Sequence, residues 1–250
     1  MRYHFALSPD VNLQAISDWF IFNTKLQRIT GETFHATQHE DYDQLHAAFE
    51  RDEADLVFAS AADTTHLIRD RGYAPLVSAK SVVSEAAIIV AEEGPIQKIT
   101  DFGSQLRAAA TDSPDIERIC RILVEPADIG PENLEILPKP NSIGVAKAVL
   151  VGEAEAGFLN ASSLAGMSNV TKRMLRTLIT SHIYVVRTIL LASPALSHLI
   201  DTLRDGLLAM NDNLADEDLL AGLGAPEGWE AIDIDQAEFM IDLMSALEQG

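Results

Sequence analysis

Seven histidines, one cysteine and a set of short polar turns are the residues of this 250-residue chain that could do chemistry. His35 and His39 lie four apart beside Glu40 and Asp41, but no third ligand follows at metal-binding spacing, so these read as exposed or capping residues. Ser8, Ser60 and Ser84 stand outside any G-x-S-x-G elbow. Neither G-x-G-x-x-G nor G-x-x-x-x-G-K-[ST] occurs, which leaves nucleotide binding without a signal. Cys120 sits in the helical pattern IERICRIL between Ile119 and Ile122 and reads as a buried structural thiol. Glu92-Glu93 and Asp216-Glu217-Asp218 are solvated loop charges, and Gly222 and Gly224 mark a turn. What remains is a binding vocabulary: Tyr42 at a helix start, and hydroxyls and amides after strands, with the histidines scattered along the chain. No catalytic set, metal site or cofactor is expected, and the chain reads as a binder rather than an enzyme.

The elements that must position these residues follow from periodicity and punctuation. Tyr3 to Leu7 reads as a strand, and Ser8-Pro9-Asp10 as a turn into a helix with Leu13, Ile16, Trp19, Phe20, Leu26 and Ile29 on its apolar stripe, closed by Gly31. Trp19 belongs to that core-facing stripe. A strand at Thr33 to Thr37, a helix opened by His39 to Tyr42 and a strand at Ala54 to Ala59 complete β-α-β-α-β, and a helix from Asp63 to Arg71 follows. This order implies a largely parallel sheet. Strands are expected at Ala74 to Ser81, Ala86 to Ala91, Arg107 to Thr111, Leu134 to Leu137 and Ala156 to Leu159. Helices are expected at Pro114 to Val124 and from Ser142 to Val151, making a second β-α-β-α-β unit. Strands near Leu175 to Ile179 and Tyr184 to Ala192, a helix from Pro194 to Met210 and a last helix from Asp235 to Leu247 close the chain. Two α/β halves place a crevice at the carboxyl ends of their strands, the usual seat of a small polar molecule.

Composition narrows the partners. The chain is 47% hydrophobic and 22% charged, ordinary for a globular protein. A net charge of −20 with 18 Lys and Arg argues against nucleic acid, whose phosphates are bound chiefly by those residues. No apolar run reaches the roughly 18–20 residues that span a bilayer; the run from Ile183 to Pro194 is broken by Arg187, so no membrane insertion is expected. MRYHFALSPD has no secretory apolar region. The chain as written is therefore expected in the cytoplasm, or in the periplasm if a leader has been removed.

The stretches HEDYDQLHAAF, DEADLVFAS, PIQKITDF and VLVGEAEAGFLN, in this order along the chain, resemble the phosphate/phosphite/phosphonate-type substrate-binding proteins of ABC transporters, which have the type II periplasmic-binding fold. The resemblance covers most of the chain. It implies a two-lobed α/β structure, 1–82 plus 183–250 forming lobe one and 83–182 lobe two, closing like a Venus flytrap on a ligand in the interlobe cleft. An ABC permease or a sensor protein is the implied protein partner. The ligand loops it implies hold Ser8 and Asn12, Asp41 and Tyr42, and Ser60 and Thr64 in lobe one. In lobe two they hold Ser84, Thr111, Asp112 and Ser113, Asn141 and Ser142, Asn160 and His182.

One turn departs from the family pattern. Before the helix at Pro114, phosphonate-type members carry a Ser/Thr/Gly-rich turn. Here Thr111-Asp112-Ser113-Pro114-Asp115-Ile116-Glu117 brings three carboxylates and removes one N–H donor. Read by itself the turn is a capped helix start with favourable acids in its first turn, and it points to a cationic or neutral ligand, or to a lost site. The function expected is a solute-binding protein for uptake or sensing of a small polar ligand. The alternatives are a cytosolic enzyme on the same fold, using an acid or base such as Asp112 or His182, and a binding-protein relic that works through protein contacts.

Overall fold

The computed structural model describes residues 2–9 and 15–249. The chain divides into two compact units, one of Met1–Val83 with Arg187–Met244 and one of Ser84–Val186 with Ser245–Gly250.

In the first unit, β1 (Arg2–Leu7) is followed by α1 (Ile16–Thr30), β2 (Thr33–Gln38), α2 (Tyr42–Glu50), β3 (Leu56–Ala59), α3 (Ala61–Arg69) and β4 (Ala74–Ala79). The apolar spacing of α1 buries Trp19, Phe22 and Leu26, and the helix stops at Gly31, whose φ of 73° is the left-handed conformation that glycine adopts without strain. β1 lies between β2 and β3 and is parallel to both, Leu7 standing opposite Gln38 and Phe58. Three polar loops therefore leave one sheet edge side by side.

The second unit holds β5 (Ala86–Ala91), β6 (Leu106–Ala110), α4 (Pro114–Val124), β7 (Leu134–Pro138), α5 (Ser142–Leu150) and β8 (Ala156–Asn160). The short helices α6 (Ala161–Ala165) and α7 (Asn169–Met174) then lead into β9 (Leu175–Thr180). The strand order is β7-β6-β8-β5-β9, with β6 parallel to β7 and β8, and β5 antiparallel to β8 and β9.

The chain then returns to complete the first sheet with β10 (Ile189–Ala192). It continues through a 3-10 turn at Pro194–Leu199, α8 (Ile200–Ala209), α9 (Glu217–Gly222), β11 (Trp229–Ala231) and α10 (Ile234–Gln249). The first sheet runs β11-β4-β10-β3-β1-β2. Both sheets are mixed: in the first, β1, β2, β3 and β4 run one way, as the β-α-β order implied, and β10 and β11 run against them. β10 starts opposite Ala59, the last residue of β3, so it can pair only by running backwards.

Other boundaries differ for local reasons. The strand expected from Tyr184 begins at Ile189, because Tyr184 has φ 58° and cannot lie in a pleated strand. The helix expected from Pro194 starts as a 3-10 turn and becomes α-helical at Ile200. β11 is too short to show a period of two, yet its Trp229 is buried against Phe22 and Phe58.

Candidate functional site

At the carboxyl edge of the first sheet the predicted residues pair with one another. Ser8, the residue after β1, is buried, and its Oγ donates to the Tyr42 hydroxyl at 3.2 Å. Tyr42 opens α2 but is itself buried, with its ring 5.9 Å from that of His46. Asp41 caps α2, accepting from the Gln44 backbone at 2.8 Å and from the Gln44 amide at 3.0 Å. Ser60 caps α3, accepting from the Asp63 N–H at 3.1 Å while its own proton goes to Asp63 Oδ2 at 3.0 Å. Thr64 is fully buried and donates to the Ser60 carbonyl at 2.7 Å. Asn12 lies outside the described residues.

Asp63 and His46 were not singled out by sequence reasoning, and they organise this edge. The second oxygen of Asp63 meets His46 Nε2 at 2.7 Å, and Asp63 is buried. That hydrogen bond holds the His46 imidazole above its ordinary value. The pair joins α2 to α3, and its only sequence signal is a histidine and an aspartate on two neighbouring helices.

The registers of the second sheet gather every candidate of that unit at one edge. Ala110 of β6 stands opposite Pro138 of β7 and Phe158 of β8. Thr111 to Ser113, Asn141-Ser142 and Asn160 therefore follow the carboxyl ends of adjacent strands. Antiparallel β5 begins opposite Asn160, and Ala87 pairs with Thr180 at the end of β9. Ser84 thus reaches the same edge by preceding the antiparallel β5, and His182 by following the carboxyl end of β9, which runs with β8. The N-termini of α4, α5 and α6 point there as well. Asn141 caps α5 through the Gly144 N–H at 2.9 Å, and Asn160 caps α6 through the Ser162 N–H at 2.9 Å. Backbone N–H groups of this kind suit anions.

The acidic turn is less hostile to an anion than its sequence implies. Glu117 is drawn along α4 to Arg121 at 2.6 Å, and Asp115 is buried, whereas Asp112 alone of the three is exposed. Of the three carboxylates that argued for a cationic or neutral ligand, Glu117 is thus ion-paired, while Asp115 and Asp112 remain beside the turn.

Glu85, also missed from sequence, anchors the returning segment. Its carboxylate accepts from Ser181 Oγ, from the Ile183 N–H at 3.2 Å and from the Tyr184 N–H at 2.8 Å. Its partners are almost a hundred residues away, so no local pattern marks it. Cys120 is fully buried on α4, and burial pushes its thiol upward, away from the reactive thiolate.

Two grooves lie elsewhere. One of about 520 Å³ is lined by Tyr73, Pro75, Arg204, Ala231 and Asp233, and one of about 500 Å³ by Arg107, Glu132, Glu135, Glu153 and Glu155. Both sit at the sheet edges opposite the candidate loops. In the first, the Arg204 guanidinium is held by the Pro75 carbonyl at 3.1 Å. In the second, Arg107 is paired with Glu135 at 2.8 Å.

Two α/β units, each presenting polar loops and helix N-termini at the carboxyl edge of its sheet, define a solute-binding protein of the two-lobed periplasmic-binding class. The model of the family described as "ABC transporter, phosphonate, periplasmic substrate-binding protein" matches residues 5–237, and the chain belongs to that family. Solved structures show the same fold. PhnD1 from Prochlorococcus marinus, in complex with methylphosphonate, aligns with a TM-score of 0.81 at 11% identity, over 100% of this chain and 99% of that one. A binding protein component of an ABC phosphonate transporter from Pseudomonas aeruginosa gives 0.77 at 17% identity, over 99% and 87%. A Xanthomonas citri protein bound to ATP gives 0.77 at 15%, over 99% and 97%. No curated protein sequence matches the chain. No helix among the described residues is long and apolar enough to cross a membrane.

Proposed function

We propose that this protein binds a small phosphonate-class oxyanion without turning it over and delivers it, outside the cytoplasm, to an ABC permease. The observation that carries this reading is the second unit's carboxyl edge, where Thr111, Ser113, Asn141, Asn160 and His182 lie at one end of the sheet with the N-termini of α4 and α5. Membership of a phosphonate-binding family supports the ligand class. Exposed Asp112 at the same edge favours a ligand that also carries a cationic group, such as an aminoalkylphosphonate, because a lone anion gains nothing from a neighbouring carboxylate.

Ser8, Tyr42, Ser60 and Thr64 belong to this reading as a preformed support. Their hydroxyl groups are hydrogen-bonded within the first unit, so they hold their loops in shape before any ligand arrives. Asn12, Asp41, Ser84 and Ser142 complete the proposed loops.

Thermal unfolding against phosphate, phosphite, methylphosphonate, an aminoalkylphosphonate, a sulfonate and simple amines tests the proposal. A ligand of the folded state raises the transition by linkage, by about 2.7 kcal/mol at a concentration 100 times Kd. The expected result is a clear rise with a phosphonate, largest with the amino form. A rise with amines alone, or with nothing in the panel, would end the oxyanion reading.

A further inference from the structure

Tyr184 combines three unusual properties. It is a non-glycine residue at φ 58°, it is 63% exposed, and its ring stacks on His182 with centroids 5.8 Å apart and planes 22° apart. A bulky residue in the left-handed region is a conformational outlier that persists only where its surroundings over-determine it. Here the over-determination is visible: the Glu85 carboxylate takes the Tyr184 and Ile183 N–H groups and the Ser181 hydroxyl together. The segment is pinned, yet the side chain that it presents contributes little to the core.

What the pinning achieves is a contact between the Tyr184 hydroxyl and His182 Nδ1 at 3.2 Å. A phenol is a stronger proton donor than a neutral imidazole, and an imidazole nitrogen is the better acceptor, so the proton of this bond belongs to the tyrosine. Neutral His182 is then protonated on Nε2, since the hydrogen bond at one ring nitrogen sets the state of the other. His182 is exposed, and its Nε2 has no protein partner among the described residues.

The rest of the edge offers hydroxyls, amides and backbone N–H groups but no other free basic side chain. Among the loops 84–85, 111–113, 139–142, 160–162 and 181–184 the basic side chains are Lys139 and His182, and Lys139 Nζ is taken by Glu153 at 2.8 Å. His182 is left as the basic group free to meet a ligand oxygen at this edge.

We propose that Tyr184 is a positioning residue that fixes His182 as its Nε2–H tautomer, so that His182 donates to an oxygen of the bound oxyanion. This deepens the oxyanion reading above and rests on it. The chain of control runs from Glu85 through the backbone of residues 183 and 184 to the phenol, then across the imidazole to the ligand.

The test uses full-length protein selectively labelled with 15N-histidine, with isothermal titration of methylphosphonate. In the unaltered protein the His182 nitrogen shifts should report one dominant Nε2–H tautomer. Tyr184→Phe should yield a tautomer mixture and weaken methylphosphonate binding several-fold, with an unchanged melting temperature. His182→Ala should weaken it by about tenfold or more, the effect of one lost hydrogen bond to a charged group. His182→Gln, whose amide nitrogen can stand near Nε2, should recover part of the loss. If Tyr184→Phe keeps the single tautomer and both substitutions at His182 keep full affinity, the proposal is wrong. If the unaltered protein ignores methylphosphonate and every other oxyanion, the oxyanion reading itself fails, a result that these variants cannot imitate.

Discussion

Asp63 holds a histidine on one helix and a serine hydroxyl at the start of another, and this gives the first unit a pH-dependent joint. His46 is raised by its hydrogen bond to Asp63. A histidine raised in the folded state contributes stability that is fully present below its unfolded value, 6.5. The contribution fades as the pH climbs through the raised value. Half of the His46 side chain is exposed, so solvent screens the pair and the effect is modest. Asp63→Asn should therefore cost more stability at pH 6 than at pH 8, read by urea unfolding at both; an equal cost at the two would show that the pair carries no charge. Ser60 and Thr64 were legible in the sequence as hydroxyls after a strand. What could not be read was that Ser60 gives its proton to Asp63 three residues on, because a capping serine looks the same whichever way its hydroxyl turns. Glu85 was invisible for a different reason. A carboxylate before a strand is ordinary, and only the fold brings residues 181 to 184 to it.

Between elements, the close approach of α8 to α1 depends on one residue. A Cβ added at Gly206, in the middle of α8, would fall within the van der Waals surface of Ile29 on α1. Glycine inside a helix costs about 1 kcal/mol relative to alanine, so its presence here is explained by the crossing and not by the helix. Overpacking costs about 1–3 kcal/mol, which exceeds the propensity gain. Gly206→Ala should lower stability by about 1 kcal/mol. Added to Ile29→Ala, the same change should become neutral or favourable, and the double-mutant cycle should show a coupling of about 1 kcal/mol or more. Additivity would mean that Ile29 simply rotates away. Most element positions were readable because punctuation agreed with periodicity, as at Gly31, Asn141 and Gly152. The failures came where that agreement breaks. Val185 and Val186 favour a strand by type, but the left-handed Tyr184 and the Glu85 anchor override it. Trp229–Ala231 is placed by tertiary packing on β4 rather than by any pattern of its own.

At the scale of the whole molecule, the two units differ in what they bury. The first closes its sheet around Phe5, Phe22, Leu7, Leu56, Leu76 and Trp229. The second buries Ile88, Ile89, Phe158 and Leu159 in its strands but fills much of the rest with Ala86, Ala87, Ala108, Ala109, Ala110 and Ala156. Apolar burial stabilises by roughly 25 cal/mol per Å², so an alanine-lined sheet gains less per residue than one packed with Phe, Leu and Trp. Connectivity acts in the same direction. The first sheet places β10 between β3 and β4, so its middle is built from both ends of the chain, whereas the second sheet comes from the continuous run Ser84–Val186. The second unit is therefore expected to unfold before the first, as locally cooperative regions do. The chain supplies its own reporters: both tryptophans, Trp19 and Trp229, lie in the first unit, and the one cysteine, Cys120, is buried in the second. In a urea series, Cys120 should become reactive to a thiol reagent at a lower concentration than the one at which tryptophan fluorescence changes. On the proposed function, saturating methylphosphonate should move the thiol transition upward. Coincident transitions without ligand would show instead that the units unfold as one, with the alanine-lined sheet drawing its stability from the rest of the chain.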